Sequence, residues 1–204
     1  MYNFCYGKQS TKSNVLKNIM KKIIVLASGE GTNFSAIVDS GIEIERVITD
    51  NPKAGVIKRA VKSGVPVVVI PQKYGDRKQG FGWFQCRLDE QIPNDTDLIV
   101  LAGFMLILSP KFCKKWADKM INIHPSLLPA FGGGCHAIRD AWEYGCKVFG
   151  VTIHWVIPEV DAGPIIAQTA LNDCGDDTLE EITEKIHRIE HYQYPKTIKK
   201  LMKI

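Results

Sequence analysis

The stretch Lys22-Ile-Ile-Val-Leu-Ala-Ser-Gly-Glu-Gly-Thr-Asn33 runs from an apolar, β-branched segment into a glycine turn. It continues into Phe34–Asp39, where Phe34, Ile37 and Val38 recur at helical spacing. A buried strand that turns sharply into a helix is the opening unit of an α/β sheet. The alternation repeats downstream. Glu43–Thr49, Val65–Ile70, Asp97–Ala102 and Met120–Ile123 read as strands 2 to 5. Helices are predicted over Ala54–Lys62, over 81–91, and from Ser109-Pro110 to about Ala117, where the serine caps and the proline enters the first turn. Gly64 closes the first of these helices and Pro71 ends strand 3. Past the glycine loop Phe131–Gly134, Ile138–Tyr144 reads as a helix with Gly145 behind it. Lys147–Val156 and Pro164–Ala170 read as two closely spaced strands, a partly antiparallel addition. Asp176-Asp177-Thr178 with Glu180 and Glu181 opens a long C-terminal helix, acids at its positive end, which Pro195 is expected to kink or divide. The fold class is α/β: an open, mostly parallel, Rossmann-like sheet with helices on both faces and a long C-terminal helix.

The chain has 204 residues and 45% hydrophobic content, enough to bury one good core. Residues 21–204 are expected to form a single domain. Residues 1–20 are polar and aperiodic and read as a flexible extension; an organellar targeting segment fits their basic charge but not their lack of arginine. No 18-residue apolar run is present, so no membrane partner is expected. The cysteines at 5, 86, 113, 135, 146 and 174 form no CxxC pair and no secretory segment precedes them, which fits reduced thiols in a cytoplasmic protein. The formal charge is +4, but Lys8, Lys12, Lys17, Lys21 and Lys22 supply five of the positive charges, leaving the body near −1. Without a basic face carrying stacking aromatics, no nucleic-acid partner is expected.

Three features carry chemistry. Ser28-Gly-Glu-Gly-Thr-Asn33 lies where backbone N–H groups at a helix start can hold a phosphate. The third glycine of a dinucleotide fingerprint would fall on Phe34, and Asp50 beside Asn51-Pro52 reads as a turn former, so a nicotinamide or flavin site is weak. A phosphate-bearing substrate and a tight turn without a ligand both remain open. Arg77 offers a guanidinium to a phosphate, or is a solvated surface residue. In Met120-Ile-Asn-Ile-His-Pro125, Asn122 and His124 share one face of a strand that proline ends. A capping or core role is the structural alternative for each. Asp161, in the stiff turn Ile157–Pro164, is either a turn former or the group that orients the imidazole. Together, His, Asn and Asp suit acyl transfer to a nitrogen. Ser28, Ser126 and Cys135 are the available nucleophiles, but none sits in a recognised motif, so direct transfer is preferred. His187 and His191, flanking Glu190, lack the partner acids of a metal site, and no metal is expected.

Val25–Asn33, Leu101–Ser109, Asn122-Ile-His-Pro-Ser-Leu-Leu-Pro129, Gly150–Trp155 and Asp161-Ala-Gly-Pro-Ile-Ile166 together resemble the phosphoribosylglycinamide formyltransferases, folate-dependent enzymes of purine (IMP) synthesis. The resemblance runs from about Lys22 into the C-terminal helix and implies the formyltransferase fold. It divides the chain into a phosphate-binding half, about 21–102, and a folate and catalytic half, about 103–204. It implies 10-formyltetrahydrofolate as cosubstrate and glycinamide ribonucleotide as acceptor, in a monomer or homodimer. By the resemblance, Gly31, Thr32, Asn33 and Arg77 hold the ribotide phosphate, and Glu190 lies near the amine with His187 close by. Asn122, His124 and Asp161 are catalytic. Met105, Leu106, Ile107, Leu108, Asn122, Ile157, Val160 and Asp161 form the folate pocket. Many members carry arginine at the position of Leu106, and the loop Ala130–Ala137 differs from theirs, with His136 in place of a family histidine. The three glycines of that loop suggest a mobile lid. A sister enzyme acting on initiator tRNA needs a further domain, and a formyltetrahydrofolate hydrolase has no use for the phosphate turn. From another class, a ribotide sensor would keep Gly31–Asn33 without catalysis.

Overall fold

The computed structural model describes residues 21–71, 82–172 and 177–204. The expected extension 1–20, Arg77 with the rest of its loop, and Asp176 lie outside the described residues. The remaining elements follow in the order β1 (Ile23–Leu26), α1 (Thr32–Asp39), β2 (Arg46–Thr49), α2 (Gly55–Lys62), β3 (Val67–Val69), α3 (Gly82–Gln91) and β4 (Leu98–Leu101). They continue with α4 (Pro110–Lys115), β5 (Met120–His124), α5 (Ala137–Tyr144), β6 (Val148–Trp155), β7 (Ile165–Asn172) and α6 (Leu179–Met202).

The strands form one sheet in the order β3-β2-β1-β4-β5-β6-β7. The first five are parallel, while β6 pairs antiparallel to β5 and β7 to β6. β1 and β4 are buried at every position because helices cover both faces of the sheet. Alternation along β1 divides the core. Ile23 and Val25 pack with Phe34 and Ile37 of α1, Val56 of α2, and Ile182, Ile186 and Ile198 of α6. Ile24 and Leu26 pack with Phe84 and Leu88 of α3, Phe112 of α4 and Trp116 just past its end.

Two local readings are corrected. The first helix begins at Thr32, not Phe34, because Gly31 takes a left-handed conformation (φ 75°) that lets its carbonyl accept from the Ser35 N–H at 3.0 Å. Pro195 does not divide the C-terminal helix, which is continuous over 24 residues. Proline removes one backbone donor, but Tyr194, Pro195, Thr197 and Ile198 are buried around it, and that packing outweighs a single lost bond. Thr178 and Glu181 start this helix as a capping box: the Glu181 N–H donates to Thr178 Oγ1 at 3.3 Å and the Thr178 N–H to Glu181 Oε2 at 2.8 Å. Tyr194, fully buried, sets its hydroxyl 2.8 Å from the carbonyl of Leu101 at the end of β4 and 3.2 Å from that of Ile121 in the adjacent β5.

Candidate active site

The strand order reverses between β1 and β4, and a crevice opens there beyond their carboxyl ends, as such reversals produce in open α/β sheets. Two hydrogen bonds join its walls. The Ser28 N–H donates to the Gly103 carbonyl at 3.0 Å, and the Met105 N–H donates to Ser28 Oγ at 2.9 Å. The crevice encloses about 640 Å³, the size of a small-molecule site.

On one side lies the glycine turn. A side-chain carbon at Gly31 would meet Val56 Cβ at 2.6 Å, so only glycine allows α2 to press against the turn. No side chain caps α1, which leaves its first N–H groups facing the crevice beside Thr32 and Asn33. Phe34, which displaces the third glycine of a dinucleotide fingerprint, is buried in the core. Asn51 is a turn former, its Nδ2–H donating to the Ser28 carbonyl at 3.2 Å and its Oδ1 accepting from the Lys53 N–H at 2.9 Å.

Asn33 donates through Nδ2 to Glu190 Oε2 at 3.2 Å, while its own Oδ1 is buried without a partner. Burial lifts the Glu190 carboxyl to about 7, and the Asn33 hydrogen bond only partly opposes this. Its pKa is raised on folding, so its stabilising contribution is full below the ordinary value of 4.5 and is lost as pH rises through about 7. A shift of that size corresponds to about 3 kcal/mol. Glu190→Gln is therefore expected to flatten the loss of stability between pH 4.5 and 7 and to be more stable than the parent at pH 8. Urea unfolding at pH 5 and pH 8 measures this; the same pH slope in both proteins would refute it.

Across the crevice, Asp161 gathers the polar groups of β5 and β6. Its Oδ2 lies 3.4 Å from His124 Nδ1 and accepts from the Gly133 N–H at 2.9 Å. Its Oδ1 lies 3.5 Å from His154 Nε2 and 3.5 Å from Asn122 Nδ2. Burial alone would raise the carboxyl, but the His154 hydrogen bond, the Gly133 N–H and the fields of both imidazoles hold it below its ordinary range. Asp161 is thus ionised at neutral pH. It takes a left-handed backbone (φ 53°), an unusual conformation for a residue with a side chain. His124 Nε2–H donates to the Phe131 carbonyl at 3.0 Å, so both its ring nitrogens face acceptors.

His154 carried no assigned role in the sequence reading. Its Nδ1–H donates to the Trp155 carbonyl at 2.9 Å, and its Nε2 lies between Asn122 Nδ2 at 3.2 Å and Asp161 Oδ1 at 3.5 Å. Asn122 and His154 are directly opposite in the antiparallel β5–β6 register, and that register was the missing signal. The Asn122 amide is closer to His154 than to Asp161, so its second N–H, in a marginal 3.5 Å contact, is the one available to a substrate oxygen.

Around this cluster Met105, Ile107 and Val160 present exposed apolar surface, with Ile157 half-buried beside them. Leu108 is buried and Leu106 packs partly against the core, so the wall of the Met105–Leu108 segment is apolar throughout. Such a wall accommodates a flat aromatic ring. His187 lines the crevice near Glu190. His136 is exposed at the start of α5 and is not among the lining residues. The glycine loop is tied to the cluster through the Phe131 carbonyl and the Gly133 N–H. Ser28 Oγ accepts from Met105, and Ser126 Oγ donates to the Ala130 carbonyl at 2.6 Å, so neither hydroxyl is engaged with a base. Among the described residues, no group of three His, Cys, Asp or Glu side chains is arranged to hold a metal ion, and no helix is long and apolar enough to cross a membrane.

An ionised carboxylate flanked by two imidazoles and an amide suits direct acyl transfer to an amine. Residues 21–198 match the family model described as formyl transferase. The chain is 40% identical over 191 residues to the phosphoribosylglycinamide formyltransferase of Bacillus subtilis (strain 168), covering 90% of this chain and 95% of that protein. It is 38% identical over 181 residues to the human trifunctional purine biosynthetic protein adenosine-3, covering 85% of this chain but only 18% of that protein. The crystal structure of phosphoribosylglycinamide formyltransferase from Streptococcus pneumoniae TIGR4 is similar with a TM-score of 0.83 at 36% identity, covering 90% of this chain and 99% of that one. The chain belongs to the formyl transferase family. It is an enzyme that transfers a formyl group, and the relatives it matches along nearly their whole length are phosphoribosylglycinamide formyltransferases by name.

Proposed function

We propose that this enzyme transfers the formyl group of 10-formyltetrahydrofolate to the primary amine of glycinamide ribonucleotide. What supports this reading is that the open N-terminus of α1 and the Asp161-centred cluster share one crevice, one end suited to a phosphate and the other to acyl chemistry. Gly31, Thr32 and Asn33, with Arg77, hold the ribotide phosphate. Glu190 accepts a hydrogen bond from the amine and aims it across the crevice. Met105, Leu106, Ile107, Leu108, Ile157 and Val160 hold the folate, which supplies the formyl carbon.

A new carbon–nitrogen bond forms between the amine and the formyl carbon, the bond to the folate nitrogen breaks, and the amine proton passes to that nitrogen. Asn122 donates its freer N–H to the oxygen that gains charge, and protonated His124 adds a second donor. Asp161 keeps His124 oriented and relays the proton directly or through water. His154 holds the Asn122 amide and the carboxylate in register.

Folate product release should depend on added glycinamide ribonucleotide. Release at an undiminished rate without the ribotide would replace this reading with a hydrolase.

A further inference from the structure

A glycine turn holds a phosphate through its N–H groups, so its carbonyls must face elsewhere. Each carbonyl from Ser28 to Gly31 has a donor of its own. That of Ser28 accepts from Asn51 Nδ2 at 3.2 Å, that of Gly29 from the Val56 N–H at 3.1 Å, and that of Gly31 from the Ser35 N–H at 3.0 Å. The Glu30 carbonyl accepts from Nε–H of Arg59, on α2, at 2.7 Å. Backbone groups of α1 and α2 therefore hold Gly29 and Gly31, whereas Glu30 depends on a side chain.

The Glu30–Gly31 peptide is the plane in the turn that most needs such a hold. Gly31 has φ 75°, and a glycine accepts either sign of φ, so this plane can turn over at little conformational cost. In a planar trans peptide the N–H points opposite to the carbonyl. With the Glu30 carbonyl drawn to α2, the Gly31 N–H faces the crevice; with the plane turned over, a carbonyl would face the phosphate instead. Arg59 is itself fixed. It is half-buried, and its Nη1 lies 3.4 Å from Ser35 Oγ on α1. The Glu30 side chain lies across Gly55, so its carboxylate rests against the first turn of α2, where the helix dipole favours an acid.

We infer that Arg59 is a positioning residue for substrate binding: its Nε–H fixes the Glu30–Gly31 peptide so that the Gly31 N–H meets the ribotide phosphate. Arg59 acts through this one backbone hydrogen bond, and its charge at a distance is secondary. The inference rests on the ribotide reading above.

In the full-length enzyme, Arg59→Met should raise the ribotide KM by about ten- to a hundred-fold and leave kcat and the folate KM within about two-fold. Arg59→Lys, which keeps a donor on a flexible stem, should recover part of the loss. Lys58→Met, which removes an equal charge from the exposed neighbouring position on α2, should match the wild type. The ratio of KM between Arg59→Met and wild type should persist in about 0.5 M KCl, where charges acting at a distance are screened. Titration of the wild type with inorganic phosphate, followed by amide NMR, should move the Gly31 resonance, a measurement that does not require any variant to fold. An unchanged ribotide KM in Arg59→Met would overturn the inference and leave the formyl-transfer reading intact. So would an equal loss in Lys58→Met, a difference that vanishes at high salt, or a Gly31 amide that phosphate leaves in place while those of Thr32 and Asn33 move. If the wild type does not turn over with the ribotide, both fall.

Discussion

Replacing Asp161 with asparagine is expected to lower kcat by about 10³-fold or more while leaving the ribotide KM within a few-fold. The asymmetry follows from where the carboxylate sits. Each oxygen faces two groups: Oδ2 faces His124 and the Gly133 N–H, and Oδ1 faces His154 and Asn122. An amide in the same place turns one acceptor into a donor. That donor must point at the Gly133 N–H or at the Asn122 amide, so the geometry is lost along with the charge. His124 then has no anion to orient it, and the oxygen that gains charge in the reaction loses a well-aimed donor. The glycine turn lies across the crevice with its own support from Val56 and Asn33, so ribotide affinity should survive. Steady-state kinetics with the ribotide varied at saturating folate separate the two quantities. Unchanged turnover with weakened binding would remove Asp161 from the chemistry and make it a turn residue.

Gly163→Ala is expected to be nearly as damaging by a different route. A side-chain carbon at this buried position would sit on the Trp155 carbonyl oxygen. That carbonyl accepts the His154 Nδ1–H, and the Trp155 N–H donates to the Pro164 carbonyl at 2.9 Å. The extra carbon must therefore push the 156–163 turn away from β6 and carry Asp161 off its partners. A steric conflict with backbone is not relieved by a rotamer change, so a loss of about 3 kcal/mol or more is expected, lowering Tm by roughly 6 °C or more. Activity should be nearly lost at temperatures where the variant is still folded. Differential scanning calorimetry and an assay at 15 °C test both parts; a Tm within 1 °C of the parent would mean the turn has room that its backbone geometry denies.

Most of the architecture was legible because it depends on local signals. Glycine turns, capping residues and apolar runs placed all seven strands and all six helices of the described residues to within a few positions. Asn122 and His124 were legible as a pair because alternation along one strand is a local rule. His154 was not, since its partnership with Asn122 arises from the antiparallel register of strands whose paired residues are 32 positions apart, and a slip of one residue would have turned the imidazole to the other face. The partnership of Asn33 with Glu190 spans 157 positions and exists only because α6 packs along α1. That Pro195 would divide the helix failed for the converse reason: a strong local signal was overruled by burial that no local rule reveals.

The Tyr194 hydroxyl has a consequence for substrate size. It lies one helical turn beyond Glu190 and is fastened to the backbone of β4 and β5 at the carbonyls of Leu101 and Ile121, the latter adjacent to Asn122. The gap between the carboxylate of α6 and the amide of β5 is therefore gauged by main chain, with little freedom left to side-chain rotation. α6 works as a ruler, and an acceptor whose amine stood one atom farther from its phosphate would overshoot the formyl carbon with no flexible wall to absorb the difference.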